Sequence, residues 1–235
     1  MKPIALIKTG STIPQIKILH GDFEDWFSEG MGTSDLFQVD VFKQEPLPAA
    51  ENLSGVVITG SPAMVSAKEG WSERTAEWLG QVVQKGTPVL GVCYGHQLLA
   101  HALGGLVGPN PRGRQIGTVA TRLINVAEAD RLLGHLPVVF DVQTSHSEVV
   151  LKLPNGAERL AISPLDDNFA IQFAENAWGV QFHPEFSGQV MSGYIQCRAE
   201  ALLEEGLDPE LLLDKTNETA KAKSVLRRFV ELTRM

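Results

Sequence analysis

Residues 88–104, P-V-L-G-V-C-Y-G-H-Q-L-L-A-H-A-L-G, constrain the fold of this chain more than any other stretch. They open with an apolar run, Val89–Val92, of the length and composition of a buried strand. They close with Leu98, Leu99, Ala102 and Leu103 at helical spacing, followed by the Gly104-Gly105 stop. Cys93 stands where strand gives way to helix, with Gly91 two positions before it and Gly95 two after. This is the G-x-nucleophile-x-G spacing of a nucleophile elbow, with Cys in the place of Ser. A sharp strand-to-helix turn leaves no room for a neighbour's Cβ, hence the glycines. A thiol at a helix N-terminus also meets the positive end of the helix dipole, which favours the attacking thiolate. Taken alone, Cys93 is equally a small buried hydrophobe at a strand end.

A second stretch, W-G-V-Q-F-H-P-E at residues 178–185, changes the weighing. It reads as a short strand ending in His183 and Glu185, whose i and i+2 positions share one side of an extended chain. Pro184 keeps His183 extended. Glu185 can then orient the His183 ring, and His183 can take the Cys93 proton: nucleophile, base and orienter. Together, G-V-C-Y-G-H-Q and G-V-Q-F-H-P-E resemble the class I glutamine amidotransferases of the Cys-His-Glu type, in the flavour of the glutaminase domain of GMP synthase and its stand-alone relatives. The resemblance covers residues 1–195. It implies Cys93 as nucleophile, His183 as general base and acid, and Glu185 as the third member of the triad.

The resemblance reaches further residues. Gly60-Ser61-Pro62 falls where the family reads Gly-Gly-Pro, a turn whose backbone N–H helps form the oxyanion hole. Ser61 keeps that N–H, but a side chain there raises the question of a glycine-type backbone angle. Otherwise Gly60-Ser61-Pro62 is an ordinary turn. The Tyr94 N–H, following the nucleophile, is the second expected donor. Gln97 matches a family glutamine that contacts substrate, and is otherwise a helix-face residue. Ser145, His146 and Ser147, between two strand-like runs, match a loop that holds the α-amino and α-carboxylate ends of glutamine largely through backbone groups. No metal and no organic cofactor are expected. His20, His96, His101 and His135 lack zinc-ligand spacing.

Strand and helix alternate through residue 104, predicting a parallel sheet with helical crossovers. Residues 4–7, 36–42 and 55–58 read as strands. Residues 21–27 read as an acidic helix start, with Asp22, Glu24 and Asp25 as favourable N-terminal charges on a solvated face or a charged substrate patch. Trp71, Trp78, Leu79, Val82 and Val83 mark the core face of a helix. Residues 107–115 read as a loop whose Arg112 and Arg114 are surface groups or meet an anionic ligand or a partner. Short β-like runs follow at 117–124, 138–141, 148–151, 159–163 and 169–173, and 177–182 returns to the site. Beyond about residue 188 the period is helical, with Cys197 in the first helix as an inert thiol. The expected architecture is α/β: an open, mostly parallel, flavodoxin-like sheet flanked by helices, a small antiparallel extension, and a helical C-terminal tail. Its domains are 1–195 and a helical extension, 196–235, packed on it.

Across 235 residues, a formal net charge of −8 with no basic run points away from nucleic acid. No apolar run approaches a membrane span, and two cysteines give no disulfide framework. A cytoplasmic protein is expected. The expected substrate is glutamine or another γ-glutamyl compound. The sequence holds no Gly-x-x-x-x-Gly-Lys-Ser/Thr phosphate loop. Three readings follow: a glutaminase feeding a separate synthetase chain, a stand-alone γ-glutamyl hydrolase or peptidase, or a ligand-binding regulatory module without turnover.

Overall fold

The computed structural model describes residues 2–235, apart from the side chains at 125 and 126. The first half alternates: β1 (Ile4–Lys8), α1 (Pro14–His20), α2 (Phe23–Met31), β2 (Leu36–Asp40), β3 (Gly55–Ile58), α3 (Gly70–Gln84), β4 (Val89–Val92) and α4 (Tyr94–Ala102). Strands then dominate: β5 (Leu106–Pro109), β6 (Gln115–Leu123), β7 (Val139–His146), β8 (Glu148–Lys152), β9 (Glu158–Ile162), β10 (Ala170–Ala174) and β11 (Ala177–Val180). The chain closes with α5 (Gly188–Cys197), α6 (Ala199–Glu204), α7 (Pro209–Asp214) and α8 (Ala220–Leu232).

Among the described residues, one sheet runs β2-β1-β3-β4-β11-β10-β9-β6-β7, and β5 and β8 form a separate two-stranded ribbon. From β2 to β11 every pairing is parallel. From β11 to β7 every pairing is antiparallel. The expected antiparallel extension thus continues the parallel sheet edge to edge.

Alternate residues of the parallel strands feed two core layers. Ala5, Ile7, Val56, Ile58 and Val89 pack with Leu79, Val82, Leu98 and Leu99 of α3 and α4. Ile4, Leu6, Val57, Leu90 and Val92 face the opposite layer, where Phe27 of α2, Met191 of α5 and Phe229 of α8 are buried. With both faces covered, these strands have no polar face, which is why they read as continuous apolar runs.

Four readings of the sequence change. Residues 107–115 are not all loop: β5 pairs with β8, and the Gly-Pro content that suggested a loop is tolerated on a short ribbon. Residues 144–147 are not a loop between strands, because β7 runs through His146. The helical period after residue 188 breaks at Arg198, which ends α5 and precedes α6. Asp22 is not on a solvated face. It is fully buried and N-caps α2 in a capping box with Asp25.

Candidate active site

Three neighbouring parallel strands deliver the site. β3, β4 and β11 lie side by side, with Val56 beside Val89 and Val180 beside Val92. Their C-terminal ends therefore share one edge of the sheet, where open α/β folds place their ligands. Beyond β3 comes Gly60-Ser61, beyond β4 comes Cys93, and beyond β11 comes His183.

Cys93 caps α4 with φ 51° and ψ −102°, a conformation that costs a non-glycine residue strain. Its N–H donates to the Val180 carbonyl at 2.9 Å, and its thiol faces the Ser145 carbonyl at 3.9 Å. The elbow glycines are required by contact. A Cβ on Gly91 would strike the Gly95 backbone, and one on Gly95 would lie 2.5 Å from the Ile58 carbonyl oxygen. The Tyr94 N–H opens α4 and has no acceptor within its own helix. The Tyr94 hydroxyl is engaged elsewhere, 2.6 Å from Ser72 Oγ.

His183 and Glu185 are buried, with His183 Nδ1 donating to Glu185 Oε1 at 2.7 Å. Phe186 stacks on the imidazole at a centroid distance of 4.0 Å, fixing the ring plane. Gly60 leaves room on the other side, since a Cβ there would approach His183 Cε1 to 2.9 Å. Burial alone would lower the His183 pKa. The negative charges of Glu185 and Cys93 outweigh it, and the imidazole pKa is raised to about 10.

Ser61 has no left-handed backbone, so the absent second glycine causes no strain. Its hydroxyl donates to the Thr9 carbonyl at 2.7 Å and accepts from the Ala63 N–H at 3.1 Å.

Two small cavities meet at Cys93, of about 90 and 50 Å³. Ser61, Pro62, Ser145 and Arg198 line both. Gln97, His146, Ser147 and Glu148 line the larger, and Thr12, His183 and Tyr194 the smaller. A groove of about 690 Å³ lies elsewhere, against α1 and α5, and none of Cys93, His183 or Glu185 borders it.

Gln97 spends both amide protons inside the protein, on the Glu148 carbonyl at 2.7 Å and Gln181 Oε1 at 2.9 Å, so only its oxygen is open to a ligand. His146 Nδ1 lies 3.1 Å from the Glu148 carbonyl, and burial pushes its pKa down to about 4. It is a neutral wall residue without a carboxylate partner. The Ser147 hydroxyl lies 3.9 Å from Met64 Sδ.

Three charged residues line the larger cavity besides those assigned from the sequence motifs. Glu148 is buried and accepts from the Ser66 hydroxyl. Arg114, beside β6, makes a bidentate pair with Glu205 at 2.8 and 2.9 Å. Arg198 comes from the break between α5 and α6. Glu148 had a local cue, its position directly after the Thr-Ser-His-Ser run, and Arg114 had the Gly-Pro-Arg-rich stretch that offered it to an anionic ligand, whereas Arg198 had none.

Comparison with known proteins matches this chain to a family. The family model "Glutamine amidotransferase class-I" covers residues 31–196, which include Cys93, His183 and Glu185. A GMP synthase (glutamine-hydrolyzing) from Aeropyrum pernix is 40% identical over 60% of this chain and 25% of its own length. One from Staphylococcus aureus is 32% identical over 68% of this chain and 31% of its own. The matched region is thus about a quarter to a third of these relatives. Among solved structures, a glutamine amidotransferase from Thermotoga maritima superposes with a TM-score of 0.78 at 25% identity, covering 99% of this chain and 98% of that one. A glutamine amidotransferase from Methylobacillus flagellatus shares the fold, with a TM-score of 0.70 at 23% identity over 100% of this chain and 90% of that one. With the family match spanning most of its length and the same fold throughout, this chain belongs to the class I glutamine amidotransferases.

Proposed function

We propose that this chain hydrolyses the γ-amide of glutamine through a Cys93 thioester and passes the ammonia to a synthetase on a separate chain. One observation carries the reading: at one sheet edge, a strained Cys93 shares a cavity with a His183 imidazole anchored to Glu185. Cys93 sulfur attacks the amide carbon, and its proton resides on His183. The C=O π electrons move to oxygen, and the oxyanion is received by the N–H groups of Tyr94 and of the Gly60-Ser61 turn. The tetrahedral intermediate collapses as His183 gives its proton to the departing nitrogen, leaving a thioester and ammonia. Water, deprotonated by His183, then attacks the thioester, and glutamate leaves as the thiolate reforms. Each oxyanion donor in such a site is worth about 2.7–4 kcal/mol in the transition state. In this reading the Ser145–Ser147 wall and the Gln97 oxygen bind the amino-acid end. A synthetase partner is supported by the matched relatives, whose name couples glutamine hydrolysis to a synthase.

The test is glutamate release by purified protein from glutamine and from a panel of γ-glutamyl amides and peptides, with Cys93→Ala as the control. Slow glutamine hydrolysis lost in Cys93→Ala supports the reading. Fast turnover of one γ-glutamyl conjugate would replace it with a self-sufficient hydrolase. Glutamate release that persists in Cys93→Ala would remove Cys93 from the mechanism.

A further inference from the structure

We propose that Arg198 binds the α-carboxylate of the substrate and so restricts the enzyme to γ-glutamyl compounds whose α-carboxyl group is unsubstituted. The inference rests on the γ-glutamyl reading above and adds to it a specificity-determining residue that lies just beyond the family-matched residues 31–196.

The first observation is position. Arg198 lines both cavities that meet at Cys93, and so borders the space in which a substrate must lie. The helix break places it there. With φ −110° and ψ 8°, it ends α5 and starts α6, whereas an unbroken helix would carry the following residues onward past the site.

The second is unmet bonding. Arg198 Nε is buried with no hydrogen-bond acceptor, and no carboxylate among the described residues pairs with the side chain. An arginine donor deprived of water and of a partner is costly, and the expected remedy is an anion. Arg114, the other cation on the same wall, is already satisfied by its two-pronged pair with Glu205. The anion-binding capacity of the wall therefore resides in Arg198.

The third is preorganisation. The guanidinium sits 6.0 Å from the centre of the Tyr194 ring, and the Tyr194 hydroxyl is held 2.7 Å from Thr12 Oγ1. This stack limits the rotamers open to Arg198 before any ligand arrives. Burial and the neighbouring Arg114 hold the Arg198 pKa below its ordinary value, the direction that a bound carboxylate would reverse.

The shape of the site decides which anion. Cavities of about 90 and 50 Å³ around the nucleophile suit one amino-acid-sized group. In the larger of these cavities, the Glu148 carboxylate and the Ser145 carbonyl suit an ammonium. A cation and acceptors lining one cavity match the two charged substituents of an α-amino acid, with the side-chain amide directed to Cys93. A fork of N–H donors reads a carboxylate bidentately and has no equivalent match to a neutral amide. A glutamine side chain within a peptide, whose α-carboxyl is tied up as an amide, would be refused.

The experiment compares kcat/KM for L-glutamine and for its α-amide, L-glutaminamide, using the full chain as wild type, Arg198→Met and Arg198→Lys. The wild type should prefer glutamine by about 10²-fold, the discrimination expected when a site built for a polar group meets an analogue lacking it. Arg198→Met should lose most of that preference through KM for glutamine, with glutaminamide turnover little changed, and Arg198→Lys should restore part of it. Iodoacetamide labelling of Cys93 and the urea midpoint report the fold of each variant. A wild type without preference, or an Arg198→Met that keeps it or slows both substrates equally, overturns the assignment while leaving the γ-glutamyl reading intact. A wild type that hydrolyses neither compound overturns that reading, and the inference with it.

Discussion

At the scale of single residues, the site depends on charge more than on shape. His183 is buried, and burial favours the neutral ring, yet Glu185 and Cys93 raise its pKa to about 10. In the proposed mechanism, the proton that His183 gives to the departing nitrogen is therefore held through neutral pH and lost as pH rises through that value. Glu185→Gln keeps the size of the side chain and removes its charge. The His183 pKa should then fall, moving the alkaline limb of the kcat/KM profile to lower pH, with a drop at pH 7 of about 10²–10⁴-fold. The check is the pH–rate profile of both proteins on glutamine. An unmoved alkaline limb would show that Glu185 does not set the proton affinity of the ring. The same residue shows why this pair was legible in the sequence. His183 and Glu185 lie two positions apart on an extended segment, so local geometry brings their side chains together. Arg198 lies far along the chain from Cys93, and nothing in its neighbourhood reveals that it lines the same cavities. Only the folded sheet brings them together.

At the scale of elements, Asp22 ties three of them. It N-caps α2, receives Lys8 of β1 and Lys17 of α1 at 2.9 Å each, and accepts the Thr12 N–H at 2.8 Å. Burial raises its pKa, but these donors outweigh burial and hold it well below the usual carboxylate range. A depressed native pKa stabilises the fold above the unfolded value of about 3.9, and the contribution fades as pH falls below it. Asp22→Asn keeps a cap acceptor but leaves buried Lys8 with Glu24 alone. It should cost about 2–4 kcal/mol at pH 7, with the gap to wild type narrowing between pH 4 and pH 3. Urea unfolding at pH 7, 5, 4 and 3 measures it, and a gap independent of pH would assign the loss to packing instead. The sequence revealed α2 through its acidic start, but not the burial of Asp22, because the partner Lys8 is on another element. It missed α1 for a related reason. That helix buries Ile16 and leaves Ile18 and Leu19 exposed, so its apolar pattern does not mark a core face. It missed β5 because Gly108 and Pro109 usually signal turns, and only pairing with β8 makes the segment a strand. The central strands were legible because burial on both faces leaves a continuous apolar run.

At the scale of the molecule, the helices after residue 196 complete the fold. In α8, Val225, Leu226, Phe229, Val230 and Leu232 are buried, and the helix packs against α2 and β7. Gly30 of α2 opens the approach, since a Cβ there would strike the Leu226 side chain. The layer that buries Leu6 and Leu90 of the parallel strands also contains Phe229, so the core of the amidotransferase sheet is continuous with that of the extension. We propose that residues 196–235, although describable as a separate helical segment, unfold together with the sheet. Phe229→Ala then reports on the whole molecule. It should cost about 3–5 kcal/mol, the loss expected for a large aromatic removed from a closed core. The unfolding curve should move to lower urea while remaining one transition, with intrinsic fluorescence and glutaminase activity lost together. A separately folding extension gives a different result. Phe229→Ala would then create an early transition in which the helices release while the sheet, including Cys93 and His183, remains folded and reactive toward iodoacetamide. Coincident or separated transitions therefore decide whether the wall carrying Arg198 is intrinsic to the catalytic fold or docked onto it.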